Sequence, residues 1–286
     1  MSPKAYNPEV RVVKDLSEKS PFTFGLIFNS YRENRPADPS QNISNCPLCG
    51  AVKKANSQQE RVLDLESLAS NWVIIPNKFP LMEGHSLAIS RGTDENEMPM
   101  YCTNNLNNLA TQIKEVTQFA TTKGFQAFHN SQGAGASVPN HEHWHLTNWG
   151  AIFDKVGEIY GFEAAEIKPL ISNSTGTLAG FPFAHIIFLG EDTERISVFI
   201  GKLERELGRN YNIGTVPHVI CQGQKGYLVV PYKIAKLKGS IGSGDVAVHV
   251  VIKDGNEYQE ADFKFCLKKL GNQLFGRDEL RLERHL

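Results

Sequence analysis

The sequence predicts an α+β fold, in which strands pair with their neighbours along the chain and helices are segregated from them. Two short apolar runs, at 71–76 and 85–90, are joined by a link that carries Pro80 and Gly84, which is typical of a hairpin-like strand pair. Apolar residues then recur at helical spacing, and the same order of elements returns weakly in the second half of the chain.

The first half begins with a polar, proline-bearing stretch at 29–45, which we expect to be a long loop. After the strand pair, an apolar stripe predicts an amphipathic helix over 103–123 that ends before Gly124. The stripe consists of Leu106, Leu109, Ile113, Val116 and Ala120. A strand at 125–129, a small-residue loop and a strand at 141–146 complete this half.

The second half repeats this order with less regularity. It predicts a strand at 183–189, a helix that includes Ile196 and Leu207, further strands at 211–216 and 227–231, and a last helix from about Asn256. No fixed period relates the halves, so a duplication is inferred from element order alone. We expect residues 1–175 and 176–286 to be two halves of one compact unit.

The composition argues against several classes of protein. The 286 residues include 30 basic and 31 acidic ones, so a net charge of −1 gives no general attraction to nucleic acid or to an anionic membrane. The N-terminus lacks the apolar core of a signal peptide, and no run of about 18 apolar residues could span a bilayer. Five cysteines, an odd number, do not suggest a disulfide framework. We therefore expect a cytoplasmic protein with reduced thiols.

Three histidines alternate along the chain at His141, His143 and His145. On a strand, this spacing places all three imidazoles on one face. Burying them together costs free energy unless they are paired or used. Two uses suit the pattern: a metal site, or a phosphate site in which one imidazole attacks while its neighbours handle protons and charge. A solvated sheet face is an equally good interpretation of the motif by itself.

The residues before the triad favour the phosphate site. Asn130, Gly133, Gly135 and Ser137 lie in a small-residue loop whose backbone N–H groups can approach an anion closely. A phosphate cradle directly before a histidine-bearing strand brings electrophile and nucleophile together. Taken alone, such a loop is more often an ordinary glycine-rich turn, so the conjunction carries the argument.

The segment 130–145 as a whole resembles the signature of the histidine-triad superfamily. The resemblance is closest to the branch that contains galactose-1-phosphate uridylyltransferase, the diadenosine tetraphosphate phosphorylases and the GDP-hexose phosphorylases. Segments at 27–32, 46–49, 77–80 and 84–90 are similar to family segments in the same order. The similarity covers most of residues 22–235 and is strongest at 128–146.

The resemblance implies a fold of two degenerate halves that share an antiparallel sheet with helices on one face. It also implies that His143 is the nucleophile and becomes nucleotidylated, with His141 and His145 orienting it, binding phosphate or managing the leaving group. Asn130 and Ser137 match the positions that contact the α-phosphate. The substrate would be a nucleoside diphosphate sugar or a dinucleoside polyphosphate, and the acceptor would be phosphate or a sugar phosphate.

Two departures from the family pattern leave the reaction open. His145 stands where many of the transferases have glutamine, whereas histidine there is common among the hydrolases and also occurs in some GDP-hexose phosphorylases. Ser137 lies four residues before His141, where much of the superfamily has three. A hydrolase that releases a nucleoside monophosphate is therefore an alternative, and so is a non-catalytic nucleotide-binding module.

The spacing of Cys46 and Cys49 is half of a tetrahedral zinc site. By resemblance, His141 would be a third ligand of a structural zinc ion, and the chemistry itself would need no cofactor. The family's remaining histidine is absent near 90–93, where Asp94, Glu95 or Glu97 could substitute. Two buried thiols without metal are the alternative.

Two further residues complete the candidate set. Arg32 could reach a distal phosphate, although a solvated loop charge is about as good an interpretation. His85 is expected to fill a structural position between strands.

Overall fold

The computed structural model of the chain describes sixteen short stretches of it. These are residues 9–14, 23–30, 46–58, 72–81, 84–90, 109–130, 138, 141, 143–147, 167–172, 175–178, 180–189, 193–210, 218–221, 226–231 and 249–285.

Strands and helices alternate in an order close to the predicted one. The first half contains β1 (Glu9–Lys14), β2 (Thr23–Phe28), α1 (Pro47–Gln58), β3 (Trp72–Pro76), β4 (Ser86–Ser90), α2 (Leu109–Lys123), β5 (Gln126–His129) and β6 (His143–Thr147). Next come β7 (Ile167–Ser172), β8 (Thr175–Leu178), β9 (Ile186–Leu189), α3 (Thr193–Asn210), β10 (His218–Cys221) and β11 (Gly226–Val230). The chain ends with β12 (His249–Ile252), α4 (Gly255–Glu260), α5 (Phe263–Gly271) and a 3-10 turn at Leu282–His285.

Across these described stretches, the larger sheet has nine strands in the order β3-β4-β6-β5-β10-β11-β9-β8-β7. Its described pairings are antiparallel. The triad strand β6 lies between β4 and β5, with His145 opposite Leu87 on one side and Phe128 on the other. Because β6 is an interior strand, its backbone is hydrogen-bonded on both edges and the direction of each side chain is fixed.

The two faces of this sheet carry different layers. On one face, apolar side chains of α2 and α3, such as Phe119 and Leu203, pack against Trp144 and Leu146 of β6. On the other face, the first half is covered by α1. The second half is covered by a small sheet, β1-β2-β12, together with α4 and α5.

The mixed α and β class and the antiparallel sheet are as predicted. The prediction of helices on one face holds for α2 and α3 but is wrong for α1 and α5. Leu48 and Val52 of α1 pack against Ile89 of β4, and Leu270 of α5 joins the cluster of Phe128. The physical reason is that both faces of the large sheet carry apolar residues, so each face requires its own cover.

Several predicted elements are found with shifted ends. The helix predicted at 103–123 is described from Leu109, and the strand predicted at 183–189 begins at Ile186. The strand predicted at 211–216 lies outside the described residues. In the part of the chain that the structure describes, no helix is long and apolar enough to cross a membrane.

Candidate active site

The histidine triad is buried at and just before β6, an interior strand of the large sheet. His143 and His145 are 4% and 7% exposed, and their ring centroids lie 5.3 Å apart. They share the sheet face opposite to Trp144, whose side chain is fully buried against the helix layer. The predicted common face is therefore confirmed for these two rings, and a solvated sheet face is excluded.

The proton position on His143 follows from its backbone contact. Its Nδ1 lies 2.7 Å from the carbonyl oxygen of His141. Since a carbonyl oxygen can only accept, Nδ1 of the neutral ring carries the proton and donates. The lone pair is therefore on Nε2, which is the atom that can act as a nucleophile.

A fourth histidine joins the triad. The backbone N–H of Leu81 donates to Nδ1 of His85 over 2.8 Å, so neutral His85 carries its proton on Nε2. That Nε2 lies 2.9 Å from Nδ1 of His145, to which it donates. Asn77 Nδ2 lies 3.2 Å from Nε2 and 3.5 Å from Nδ1 of His85.

The same reasoning assigns His145. Because its Nδ1 accepts from His85, its own proton is on Nε2, which lies 3.0 Å from Nδ2 of Asn130. A donor on the ring requires an acceptor on the amide, so the amide oxygen of Asn130 is the atom that faces Nε2. Phe128 stacks on the ring of His145 at 4.7 Å and 7°, which holds the ring in place. His145 can therefore donate a hydrogen bond from Nε2.

Sequence analysis predicted Asn130 in this site but missed the contact of His85 with the triad. His85 directly precedes β4, and Leu87 of that strand pairs with His145. That pairing is a tertiary fact, and it cannot be read from local spacing.

His141 faces a pair of thiols instead of its two neighbours. Its Nδ1 lies 3.5 Å from Sγ of Cys46 and 3.3 Å from Sγ of Cys49. Its Nε2 lies 3.1 Å from the carbonyl oxygen of Ser90, which requires a proton on Nε2 and leaves the lone pair on Nδ1. A lone pair aimed at two thiols, with the other ring nitrogen hydrogen-bonded to a carbonyl, is the usual arrangement of a metal-binding histidine.

The distances also suit a zinc ion. With Zn–S near 2.3 Å and Zn–N near 2.0 Å, tetrahedral geometry places sulfur and nitrogen about 3.5 Å apart. Burial raises the pKa of the Cys46 thiol, but the contact with His141 and the hydrogen bonds from the backbone N–H groups of Cys49 and Leu48 outweigh burial and lower the pKa to about 6. A lowered pKa favours the thiolate, which is the form that binds a metal ion. The three donor atoms lie within 4.8 Å of one another, so this group could hold a metal ion.

The remaining candidates lie outside the described residues. They are Arg32, Gly133, Gly135 and Ser137, together with Asp94, Glu95 and Glu97 as possible fourth metal ligands.

Comparison with known proteins identifies the fold. No protein-family model matches the chain, and no curated protein sequence matches it. Crystal structures of yeast Ap4A phosphorylase Apa2 do match. The complex with Ap4A has a TM-score of 0.61 at 14% identity, over 96% of this chain and 91% of that one. The complex with AMP has a TM-score of 0.59 at 16% identity, over 95% and 89%.

A third structure of the same yeast enzyme matches with a TM-score of 0.56 at 14% identity, over 99% of this chain and 87% of that one. The match extends over nearly the whole of both chains. The likeness shows that this chain has the fold of the yeast Ap4A phosphorylase.

Proposed function

We propose that this protein is a nucleotidyltransferase of the phosphorylase type, which cleaves a nucleoside diphosphate sugar or a dinucleoside polyphosphate. One observation carries the proposal: two buried imidazoles on one sheet face are held in complementary tautomers. His143 has its lone pair on Nε2, and His145 has a proton on Nε2. A nucleophile beside a hydrogen-bond donor is the pair that covalent phosphoryl chemistry requires. The yeast enzyme of the same fold has been crystallised with Ap4A and with AMP, which supports a nucleotide ligand.

In the first step, Nε2 of His143 attacks the α-phosphorus and forms an N–P bond. The P–O bond to the distal part of the substrate breaks, and the bonding electrons leave with that oxygen. The departing oxygen replaces Asn130 as the acceptor of the hydrogen bond from the His145 Nε2–H, which lowers the cost of the negative charge there while the proton stays on His145. In the second step, an oxygen of inorganic phosphate attacks the same phosphorus, the N–P bond breaks, and a nucleoside diphosphate is released.

The five residues predicted to contact phosphate support this reaction from the sequence. The side-chain amide of Asn130 lies 3.0 Å from Nε2 of His145 and is therefore at the reacting groups. We propose that Gly133, Gly135 and Ser137 supply backbone and hydroxyl donors to the α-phosphate, and that Arg32 contacts a distal phosphate.

We also propose a structural zinc ion held by Cys46, Cys49 and His141. When bound, it would tie α1 to His141, two residues before the start of β6, and would take no part in bond making. Thiolate ligands need a reducing compartment, which supports the proposed cytoplasmic location.

We further propose that residues 1–175 and 176–286 are two degenerate halves. The series β3, β4, α2, β5, β6 matches β8, β9, α3, β10, β11, and the sheet order runs outward from the β5-β10 contact in the same sequence on both sides. Both features support a duplication.

The test is to incubate the protein with Ap4A, ADP-glucose, GDP-sugars and UDP-sugars, with and without inorganic phosphate. A nucleoside diphosphate formed only with phosphate is the expected product. A nucleoside monophosphate formed regardless of phosphate would show the hydrolase, which His145 in place of glutamine favours as the second candidate. Nucleotide binding without turnover would contradict both the phosphorylase and the hydrolase.

A further inference from the structure

Asn29 connects the small sheet to the triad from outside the site. It directly follows β2 and is fully buried. Its backbone N–H donates to the carbonyl oxygen of Ile252 at the end of β12 over 2.8 Å. Its side-chain Nδ2 donates in the other direction, to the carbonyl oxygens of Pro80 at 3.1 Å and Leu81 at 3.4 Å.

These two carbonyls belong to the short link that controls His85. The N–H of Leu81 is the donor that occupies Nδ1 of His85. Asn29 therefore holds the carbonyl side of the same residue whose amide side determines the His85 tautomer. A buried amide that contacts two carbonyls is costly to remove, because the carbonyls then lose their donor.

We propose that Asn29 is a positioning residue for the triad, and that it acts through Leu81 and His85 on His145. The proposal rests on the proposed function, since it assigns Asn29 a part in that reaction. Without the Asn29 donor, the Pro80–Leu81 link shifts and the Leu81 N–H moves away from Nδ1 of His85. His85 then takes up the tautomer with the proton on Nδ1, and its Nε2 becomes an acceptor.

The consequence reaches the reacting groups. Facing an acceptor, neutral His145 places its proton on Nδ1, and its Nε2 no longer donates to the leaving oxygen. Because that hydrogen bond strengthens as charge develops in the transition state, its loss lowers kcat and leaves substrate binding nearly unchanged.

The variant Asn29→Leu removes the donor and keeps a side chain of similar size. We expect kcat to fall about tenfold, while KM stays within about twofold. Val250→Ala is the matched control, because Val250 lies in β12 of the same small sheet and is fully buried in its core. It should lower the urea midpoint of unfolding without changing kcat. An equal loss of kcat in both variants would overturn the proposal.

A double variant tests the route. In a His85→Gln background, Asn29→Leu should lower kcat by less than about twofold, because the group through which it acts is already gone. Two losses that multiply would show that Asn29 does not act through His85.

A spectroscopic test separates this proposal from the proposed function. Long-range ¹H–¹⁵N correlation spectra of the imidazoles should show the proton of His85 on Nε2 in the wild-type protein and on Nδ1, in part or fully, in Asn29→Leu. The spectra need no substrate, so they decide the coupling even if no nucleotide is turned over. An unchanged His85 tautomer in Asn29→Leu would refute it.

Discussion

His85 and His185 occupy the same place in the two halves of the large sheet, each directly before a strand. Both are buried, and each accepts a hydrogen bond from a backbone N–H: His85 from Leu81, and His185 from Leu178 at 2.7 Å. The two histidines differ in the partner of their other ring nitrogen. In His185 it lies 2.7 Å from the carbonyl oxygen of Phe183, so that both nitrogens serve the backbone. In His85 it reaches the side chain of His145.

The strands opposite these histidines explain the difference. In the first half, Leu87 and Ile89 of β4 pair with His145 and His143 of β6. In the second half, Ile187 of β9 pairs with Leu228 of β11, and Leu189 pairs with Gly226. One half therefore offers imidazoles where the other offers an aliphatic residue and a glycine. The comparison teaches that a buried histidine before a strand can join a chemical site only where the facing strand supplies polar partners.

Replacing the nucleophile gives the largest expected effect. His143→Ala should lower kcat at least about 10³-fold, because it removes the nitrogen that forms the N–P bond. His129→Ala is the matched control, since His129 is a buried histidine of the adjacent strand whose ring packs on Trp144, on the opposite sheet face. Turnover assays on both variants check this. Comparable activity in the two would remove His143 from the mechanism.

Removing a metal ligand tests the zinc site proposed for the first half. We expect about one zinc ion per chain by elemental analysis and nearly none in Cys46→Ser, because two remaining donors bind zinc weakly. Cys266→Ser is the control: that thiol is fully buried elsewhere, in the cluster of α5, and burial raises its pKa to about 12. Equal metal content in both variants, or none in the wild type, would contradict the zinc site.

The comparison of His85 with His185 is tested by making the same substitution at both positions. His85→Gln should lower kcat by about ten- to a hundredfold, because His145 loses the donor that sets its tautomer. His185→Gln should leave kcat within about twofold, since a glutamine amide can still bond both backbone groups. Steady-state kinetics give the answer. A larger loss of kcat from His185→Gln would place function in the second half.

The smallest effect is a pH dependence of stability due to His185. Burial lowers its pKa from 6.5 to about 4, against the hydrogen bond to Phe183 and with Arg277 adding to the shift. Between these values the unfolded chain binds a proton that the folded chain excludes. Stability is therefore complete above pH 6.5 and falls by about 3 kcal/mol as the pH drops to 4.

Urea unfolding of the wild type and of His185→Gln, at several pH values between 7 and 4, isolates this term. The difference between the two proteins should change by about that amount over the range. Parallel curves would show that His185 is protonated in the folded state.

The sequence predicts local side-chain arrangements better than it predicts the architecture. The alternation of His143 and His145 is a local pattern, and a strand converts it directly into a common face. Cys46 and Cys49 lie three residues apart, so their spacing is also a local pattern. Their proximity to His141 was expected only from the resemblance. What the pattern could not provide is the pairing of β2 with β12, in which Leu26 lies beside Val250 from the far end of the chain. Such contacts are determined by tertiary packing, which has no local period.

The roles of Asn29 and His85 were hidden for the same reason. Each acts through hydrogen bonds to Pro80 or Leu81, whose backbone groups carry no sequence signal. Only the folded chain brings the end of β2, this link and β6 together.

The central claim is that Nε2 of His143 bonds to the α-phosphorus during turnover. Rapid acid-free quenching with a substrate labelled at the α-phosphate, followed by peptide mass spectrometry, tests it directly. We expect a base-stable, acid-labile nucleotidyl group on His143 that forms and decays at rates compatible with kcat. A substrate that turns over while His143 stays unlabelled under single-turnover conditions would mean that phosphate or water attacks the nucleotide directly.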